Sequence, residues 1–167
     1  MQIEIKVKIR DPEKVVEQIK KLGAKFWKKT KETDTYFASK RGVFKLKQAD
    51  TNECLLIHDF RPKESITTAL RTELPMDSIF SEKLIAILKD AVGVQLVLQR
   101  EREQYIYHGF LLAVDSIKNH DTFLELTSDE ISEDRRDLEK QKLLDLLSQF
   151  GFSEKDLETK SYIDMYL

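Results

Sequence analysis

Hydrophobic and polar residues alternate strictly over the first ten positions of the chain. Isoleucine or valine occupies positions 3, 5, 7 and 9, while glutamine and charged residues occupy the even positions. Successive side chains of a strand point to opposite faces, so a period of two predicts a β-strand. One face of this strand is apolar and the other is mainly charged, which means that the two faces meet different environments.

Three segments have the spacing of helices instead. The first begins at Asp11-Pro12, which supplies an N-cap and a first-turn proline, and it ends at Gly23. The second covers residues 78–89. The third runs from Ser132 to Phe150 and is predicted to be the longest helix. Its apolar face is formed by Leu138, Leu143, Leu144, Leu147 and Phe150.

The remaining segments predict further strands. These lie near residues 25–38, 43–48, 54–61, 67–74, 94–106, 109–117 and 122–127. About eight strands therefore occur in adjacent groups rather than in alternation with helices, which favours an antiparallel α+β domain. We find no linker rich in glycine or proline and no internal repeat. We therefore expect residues 1–167 to form a single domain.

Composition narrows the range of functions. The 28 Lys plus Arg residues nearly balance the 30 Asp plus Glu residues, and the net charge is −2. Bulk electrostatics therefore gives no general attraction to nucleic acid or to an anionic membrane, and neither is expected as a partner.

Three features of the sequence bear on the location of the protein. Cys54 is the lone cysteine, and no stretch approaches the roughly 18 apolar residues of a membrane span. The alternating charged residues follow Met1 directly. A cytoplasmic location is the expectation.

Many cations occupy alternating positions in the predicted strands. They are Lys6, Lys8, Lys45, Lys47, Arg61, Arg71, Arg100 and Arg102. In an ordinary half-exposed sheet these side chains would simply face solvent. If the strands curl into a barrel with these charges inward, the cations converge, and they then require acidic neighbours or a highly charged anion. A polyphosphate fits that requirement, because Arg and Lys both bind phosphate oxygens.

Carboxylates on the same strands could hold Mg²⁺ next to such an anion. The candidates are Glu4, Glu73, Asp115 and Glu125. The chain contains neither of the glycine-rich motifs that cradle phosphates in P-loop and dinucleotide-binding folds. A phosphate site would therefore be built from side chains.

Several short motifs occur in a characteristic order. They are Gln2-Ile3-Glu4-Ile5-Lys6, Thr33-Asp34-Thr35-Tyr36-Phe37, Phe44-Lys45-Leu46-Lys47, Phe60-Arg61-Pro62, Arg71-Thr72-Glu73, Arg100-Glu101-Arg102 with Tyr105, Asp115-Ser116-Ile117, Phe123-Leu124-Glu125-Leu126-Thr127 and Lys160-Ser161-Tyr162. In this order they resemble the CYTH domains, which are triphosphate-tunnel proteins that include class IV adenylyl cyclases, thiamine triphosphatases and inorganic triphosphatases. The resemblance covers most of the chain and implies an eight-stranded antiparallel β-barrel, the triphosphate tunnel, with flanking helices.

The resemblance also implies roles for individual residues. The phosphate-binding set would be Lys6, Lys8, Lys45, Lys47, Arg61, Arg71, Arg100, Arg102 and Lys160, with Lys6 and Arg102 as catalytic residues. Glu4, Asp115 and Glu125 would hold Mg²⁺ or Mn²⁺. The family pattern has glutamate where this chain has Gln2 and Thr127, so we expect a weakened metal site.

The branch of the family sets the expected reaction. The chain length, the Arg61-Pro62 turn and the strand after it resemble the class IV adenylyl cyclases, which convert ATP to cyclic AMP and pyrophosphate. Two alternatives remain open at this point. One is a triphosphatase acting on thiamine triphosphate or tripolyphosphate, and the other is a module that binds a nucleotide or polyphosphate without turnover. The expected ligand is a nucleoside, organic or inorganic triphosphate, and both a monomer and a homodimer are compatible with the sequence.

Overall fold

The computed structural model describes residues 1–60 and 68–167, with the backbone alone at residues 68 and 69. Eight strands are present in it: β1 (Gln2–Ile9), β2 (Lys25–Phe37), β3 (Val43–Ala49), β4 (Cys54–Phe60), β5 (Thr68–Met76), β6 (Val94–Tyr107), β7 (Phe110–Ile117) and β8 (Thr122–Thr127). The α-helices are α1 (Pro12–Lys21), α2 (Ser78–Ala91), α3 (Arg136–Ser148) and α4 (Tyr162–Tyr166), with short 3₁₀ turns at Glu133–Arg135 and Glu154–Asp156.

The strands close into one antiparallel barrel in the order β1-β5-β4-β3-β2-β6-β7-β8. The first strand closes it, pairing with β8 over six residue pairs and with β5 near Gln2 and Ile3. The predicted eight-stranded antiparallel barrel with flanking helices is therefore confirmed. Closure removes the open sheet edges that would otherwise template aggregation.

The hydrophobic core lies outside the barrel wall. Ile3, Ile5 and Val7 point outward from β1 and pack in one cluster with Ile19 of α1 and Leu143 of α3. Because side chains alternate along a strand, Glu4 and Lys6 of β1 point into the barrel. Burying each of these outward side chains contributes about 1.5–3 kcal/mol, so the helices that cover the wall also hold the charged interior in place.

The helices differ from the predictions at two places. The segment predicted as the longest helix begins with a 3₁₀ turn, and α2, with 14 residues, is longer than α3 with 13. Leu138 is exposed rather than part of the buried face, because at 100° per residue it lies opposite Leu143 and Leu147. The short helix α4 was not predicted.

Among the described residues, no helix has the length and apolar character needed to cross a membrane.

Candidate functional site

The interior of the barrel is lined by balanced charges. Among the described residues, carboxylates and cations point into the barrel together, and they include Glu4, Glu32, Asp34, Asp59, Asp115 and Glu125 with Lys6, Lys45, Lys47, Arg71, Arg100 and Arg102. The cations therefore converge as the sequence predicts. The acidic neighbours that this convergence requires are supplied by the barrel itself.

One end of the barrel is sealed. Tyr36, Leu98, Ile117 and Phe123 form a buried apolar cluster there, and Tyr162 of α4 packs against it. The Tyr162 hydroxyl donates a hydrogen bond to Asp115 at 3.0 Å. Helix α4 thus closes the barrel at this end and joins the charged network behind the cluster.

Next to this plug, Lys45 and Arg100 are engaged by carboxylates. Lys45 Nζ lies 2.6 Å from Asp34 Oδ2, and Arg100 Nη2 lies 2.7 Å from Glu32 Oε2. Burial alone would raise the pKa of Asp34, but Arg100 and Lys45 hold it well below its usual range. The cavity here measures about 50 Å³, which is room for one or two waters at roughly 30 Å³ each.

Asp115, whose side chain is fully buried, pairs with Arg102. Arg102 donates to both oxygens of Asp115, at 2.6 and 2.5 Å, and also to Glu125 at 3.0 Å. Burial opposes ionisation of Asp115, yet Arg102 and Arg100 lower its pKa to about 2. Asp115 was predicted as a metal ligand, but in this structure both of its oxygens accept hydrogen bonds from Arg102 or Tyr162. Asp115 is therefore placed to hold the Arg102 side chain in its orientation.

The opposite end of the barrel opens into a cavity of about 560 Å³. Lys47, Arg71 and Arg102 bring positive charge to it, and Glu32, Glu73 and Glu125 bring negative charge. Gln2 and Thr127 also line it. Apolar side chains also line it, namely Trp27, Leu55, Pro75, Met76 and Leu111, together with the ion pair of Lys28 with Glu53 at 2.8 Å. This open cavity combines charged and apolar lining residues.

Two cations in this lining have unused capacity for an anion. Lys47 makes no ion pair with any described residue, and burial together with the nearby Arg102 and Arg100 lowers its pKa to about 8. Arg71 donates to Glu4 at 3.3 Å and to Asp59 at 3.2 Å, but its buried Nε has no partner within the described chain. A buried donor without a partner costs free energy, which a bound anion would recover.

The oxygen donors for a metal are less complete. Glu4 lies opposite Thr127 in the β1–β8 pairing, and Glu125 lies on the same strand as Thr127. Both carboxylates accept hydrogen bonds from arginine, and no cluster of three or more His, Cys, Asp or Glu residues able to hold a metal occurs in the described ranges. An all-oxygen set with two carboxylates suits Mg²⁺ or Mn²⁺ when phosphates supply further ligands. The residues therefore fit a cation that binds together with the phosphates.

Two of the described residues predicted to bind phosphate, Lys8 and Lys160, line neither the inner cavity nor the open one. Lys8 is exposed and pairs with Asp121 at 2.6 Å, because it lies level with Phe123 of the apolar plug. The side chain of Lys160 is also exposed, although its carbonyl oxygen accepts a hydrogen bond from Lys6 Nζ at 2.7 Å. Arg61 lies outside the described residues. Lys6 lines the inner cavity, with its Nζ 4.3 Å from the centre of the Tyr162 ring.

Several interior residues were missed by the sequence analysis. Glu32 and Asp34 share the parity of Thr30 and Tyr36 on β2, a signal that alternation could have revealed. Asp59 follows the same rule on β4. Trp27 and Met76 could not have been placed in the open cavity, because their position depends on how the barrel ends are arranged.

A closed antiparallel barrel of eight strands with a charged interior defines the triphosphate-tunnel class of proteins. A family model described as the CYTH domain matches residues 1–162, and the chain belongs to the CYTH domain family.

Relatives cover nearly the whole chain. The Methanocaldococcus jannaschii protein named "Putative adenylate cyclase MJ0240" is 30% identical over 176 residues, which span 99% of this chain and 98% of that protein. The structure of the PH1012 protein from Pyrococcus horikoshii superimposes with a TM-score of 0.85 at 21% identity and covers 98% of each chain. A Hippeastrum structure described as "Putative adenylyl cyclase HpAC1 from Hippeastrum reveals a dominant triphophatase activity" gives a TM-score of 0.63 at 17% identity, covering 89% of this chain and 88% of that one.

Proposed function

We propose that the open cavity binds the triphosphate of ATP together with Mg²⁺ or Mn²⁺ and converts ATP to cyclic AMP and pyrophosphate. The observation that carries the proposal is the half-buried ammonium of Lys47 in the lining of this cavity, which has no ion-pair partner in the described chain and a pKa lowered to about 8. Its charge is disfavoured by burial and by neighbouring cations, and a polyanion would reverse that penalty. The name of the Methanocaldococcus relative supports the cyclase branch.

Lys47, Arg71 and Arg102 would bind the phosphates in the open cavity. In the proposed reaction the ribose 3′-hydroxyl attacks the α-phosphorus and loses its proton. The bond from that phosphorus to the bridging oxygen breaks, and pyrophosphate leaves. Negative charge grows on the leaving oxygens, where Arg102 and Lys47 would stabilise it. A divalent cation near Glu4 and Glu125 would supply further positive charge at the phosphates.

Lys6 has a different place in this proposal. It lies in the inner cavity between the carbonyl of Lys160 and the ring of Tyr162. Lys6 would reach the phosphates only if the ligand extended into the inner cavity. The ligand would then displace the carboxylates that pair with Lys45 and Arg100. We therefore propose Arg102 as the main catalytic cation and Lys6 as a binding residue for a deeply seated phosphate.

The apolar lining of the cavity favours an organic triphosphate over an inorganic one. Trp27 is half exposed there, and Leu55, Met76 and Leu111 line the same cavity. Tripolyphosphate has no apolar group to place there, whereas a nucleobase would stack on an aromatic ring with about 1–3 kcal/mol of stabilisation. This contrast in the cavity supports ATP over tripolyphosphate as the ligand.

A triphosphatase is the second candidate. The Hippeastrum structure of the same fold is described with a dominant triphosphatase activity. The open cavity is accessible to water, and the same cations could stabilise attack of a water on the terminal phosphorus. The products separate the two reactions, because hydrolysis releases inorganic phosphate and cyclisation does not.

Isothermal titration with ATP and with tripolyphosphate, each with and without Mg²⁺ or Mn²⁺, tests binding. Product analysis of the same samples tests the reaction. Cyclic AMP with pyrophosphate would support the cyclase, and phosphate release would assign the triphosphatase instead. Binding that leaves the ligand intact would identify a non-catalytic module. The absence of any binding would overturn the proposal as a whole.

A further inference from the structure

Gln104 is a neutral amide buried in the wall of the open cavity. Its side chain is 5% exposed and lines the cavity together with Arg102 of the same strand. No hydrogen-bond partner for its buried Oε1 is found among the described residues. A buried acceptor without a donor costs free energy, so native proteins contain few of them. A ligand that brings a donor into the cavity would remove this cost.

Gln104 lies nearer the opening than the cations that would bind the phosphates. From the sealed end, the inward residues of β6 follow in the order Leu98, Arg100, Arg102 and Gln104. Residues two apart on a strand are separated by about 7 Å along its axis. A triphosphate on Arg102 would therefore place the next group of its ligand at the level of Gln104. In a nucleotide that group is the nucleoside.

An aromatic ring lies close to this amide at the mouth of the cavity. Lys28 is the partner of Gln104 in the β2–β6 pairing, and a β-bulge between Phe26 and Lys28 sets Trp27 beside it. Trp27 lines the same cavity. Lys28 Nζ lies 4.4 Å from the centre of the Trp27 ring and 2.8 Å from Glu53 Oε2. These two contacts hold the ring in place near Gln104.

A small side chain on the other side of Gln104 leaves space for a planar group. Ala113 lies opposite Gln104 in the β6–β7 pairing and is buried. It has the inward parity of Asp115, two residues further along β7, but its side chain ends at Cβ. The open cavity is therefore not filled beside the amide by its neighbour on β7.

The amide of glutamine matches one edge of adenine. Rotation about the last side-chain bond turns the amide toward the cavity, and Oε1 loses no partner of the described chain by this rotation. Oε1 can then accept a hydrogen bond from the N6 amino group while Nε2 donates one to N7. Guanine and hypoxanthine present two acceptors at the same edge, so only one of the two amide atoms would find a partner.

We propose that Gln104 recognises the base of the bound nucleotide and selects adenine over purines with a carbonyl oxygen at position 6. The inference rests on the proposed function, because it requires a triphosphate at Lys47 and Arg102. Gln104 is then a specificity-determining residue that binds the edge of the base while Trp27 stacks on its face. It takes no part in the transfer of the phosphoryl group.

Isothermal titration with ATP, ITP and tripolyphosphate, each with Mg²⁺, tests the assignment. The wild-type protein should bind ATP about 5-fold to 150-fold more tightly than ITP, which is the discrimination given by one bidentate base contact. Gln104→Met keeps the length of the side chain but removes the amide. It should weaken ATP by a similar factor and change ITP much less. Tripolyphosphate has no base, so its affinity should be the same for both proteins.

Gln99→Met is the matched control, because Gln99 is exposed on the same strand with the opposite parity. This variant should keep the wild-type preference for ATP, and circular dichroism should show that both variants are folded. Equal or tighter binding of ITP by the wild type would overturn the role of Gln104 and leave triphosphate binding intact. An equal loss of ATP and tripolyphosphate binding in Q104M would assign Gln104 a structural role instead. If the wild type bound neither ATP nor tripolyphosphate, the proposed function would fail and this inference with it.

Discussion

The two ends of the barrel use the same charged residue types in opposite ways. At the sealed end, Lys45 and Arg100 are each held by a carboxylate at 2.6–2.8 Å. At the open end, neither an ion pair of Lys47 nor a hydrogen-bond partner of the buried Arg71 Nε is found among the described residues. The sealed end has the ion pairing of a structural element, and the open end has the unmet charge on which the proposed binding site rests. The number of cations in the sequence does not show which of them belong to the sealed end and which to the open end.

Removing a carboxylate from the paired end should have the largest effect. Asp115→Asn leaves the buried Arg102 with weaker partners, and breaking a buried pair costs about 3–5 kcal/mol of the free energy of unfolding. Urea denaturation without ligand measures this loss. Asp121→Asn is the control, since the exposed pair of Asp121 with Lys8 should contribute about 0–1 kcal/mol. Equal losses for the two variants would show that the buried pair of Asp115 contributes no more to stability than an exposed pair does.

Removing the unpaired cation should have the opposite effect on stability. Lys47→Met should weaken binding of ATP by about 2–3 kcal/mol, or about 30-fold to 150-fold, because a charged hydrogen bond to phosphate is lost. Without ligand, the variant should be as stable as the wild type or more stable, because an unfavourable half-buried charge has gone. Lys8→Met removes an exposed lysine as the control and should change neither quantity appreciably. A strongly destabilised K47M protein would show that Lys47 has a structural role.

Restoring the two absent carboxylates should sharpen the metal requirement. Gln2→Glu with Thr127→Glu adds two negative oxygen donors to the wall of the open cavity near Glu4 and Glu125. We expect the Mg²⁺ concentration for half-maximal ligand binding or turnover to fall about tenfold. Titration of Mg²⁺ at fixed ATP measures the change, with Gln95→Glu on an exposed position as the control. An unchanged Mg²⁺ requirement would place the metal elsewhere.

The pH dependence of binding should be the smallest effect. Lys47 has a pKa lowered to about 8, so above that pH the free protein loses the proton that the bound anion favours. Affinity for ATP should then fall by at most tenfold per pH unit. The free energy of unfolding changes in the opposite direction. Between about pH 8 and the usual lysine pKa of 10.5, Lys47 is more protonated in the unfolded chain than in the folded one, so its contribution to stability increases as pH rises.

A charge-conserving variant tests this assignment. Lys47→Arg keeps its charge over the whole range and should bind ATP with a flatter pH profile than the wild type. Titration calorimetry at pH 7, 8 and 9 measures both profiles. Identical slopes for the two proteins would assign the pH dependence to another group.

Much of the fold could be predicted from local pattern. Alternation at residues 2–9 predicts both the strand and its charged face, and the cap at Asp11 with its proline predicts where α1 begins. Such signals are local, so one sequence contains them. The small helix α4 could not be predicted, because five residues carry too little periodicity and its position depends on contacts with distant residues such as Asp115.

The site could be predicted in residue type but not in pairing. Parity places Lys45 and Lys47 on the same face of β3, and both do point inward. Yet Lys45 is held by Asp34 while Lys47 is not, and that difference depends on the depth of each residue in the barrel. Lys8 has the right parity as well, but the apolar plug beside Phe123 leaves it outside.

Under the proposed function, the sharing of Arg71 between Glu4 and Asp59 would link two ligands thermodynamically. A phosphate that takes over Arg71 would remove one cationic partner of Glu4 and so favour a divalent cation there, and a cation at Glu4 would in turn favour phosphate at Arg71. Linkage requires that each ligand raise the affinity of the other by the same factor, typically 5-fold to 150-fold, or about 1–3 kcal/mol. At low concentrations of either ligand the barrel would hold neither, so occupancy would respond to the product of the two concentrations.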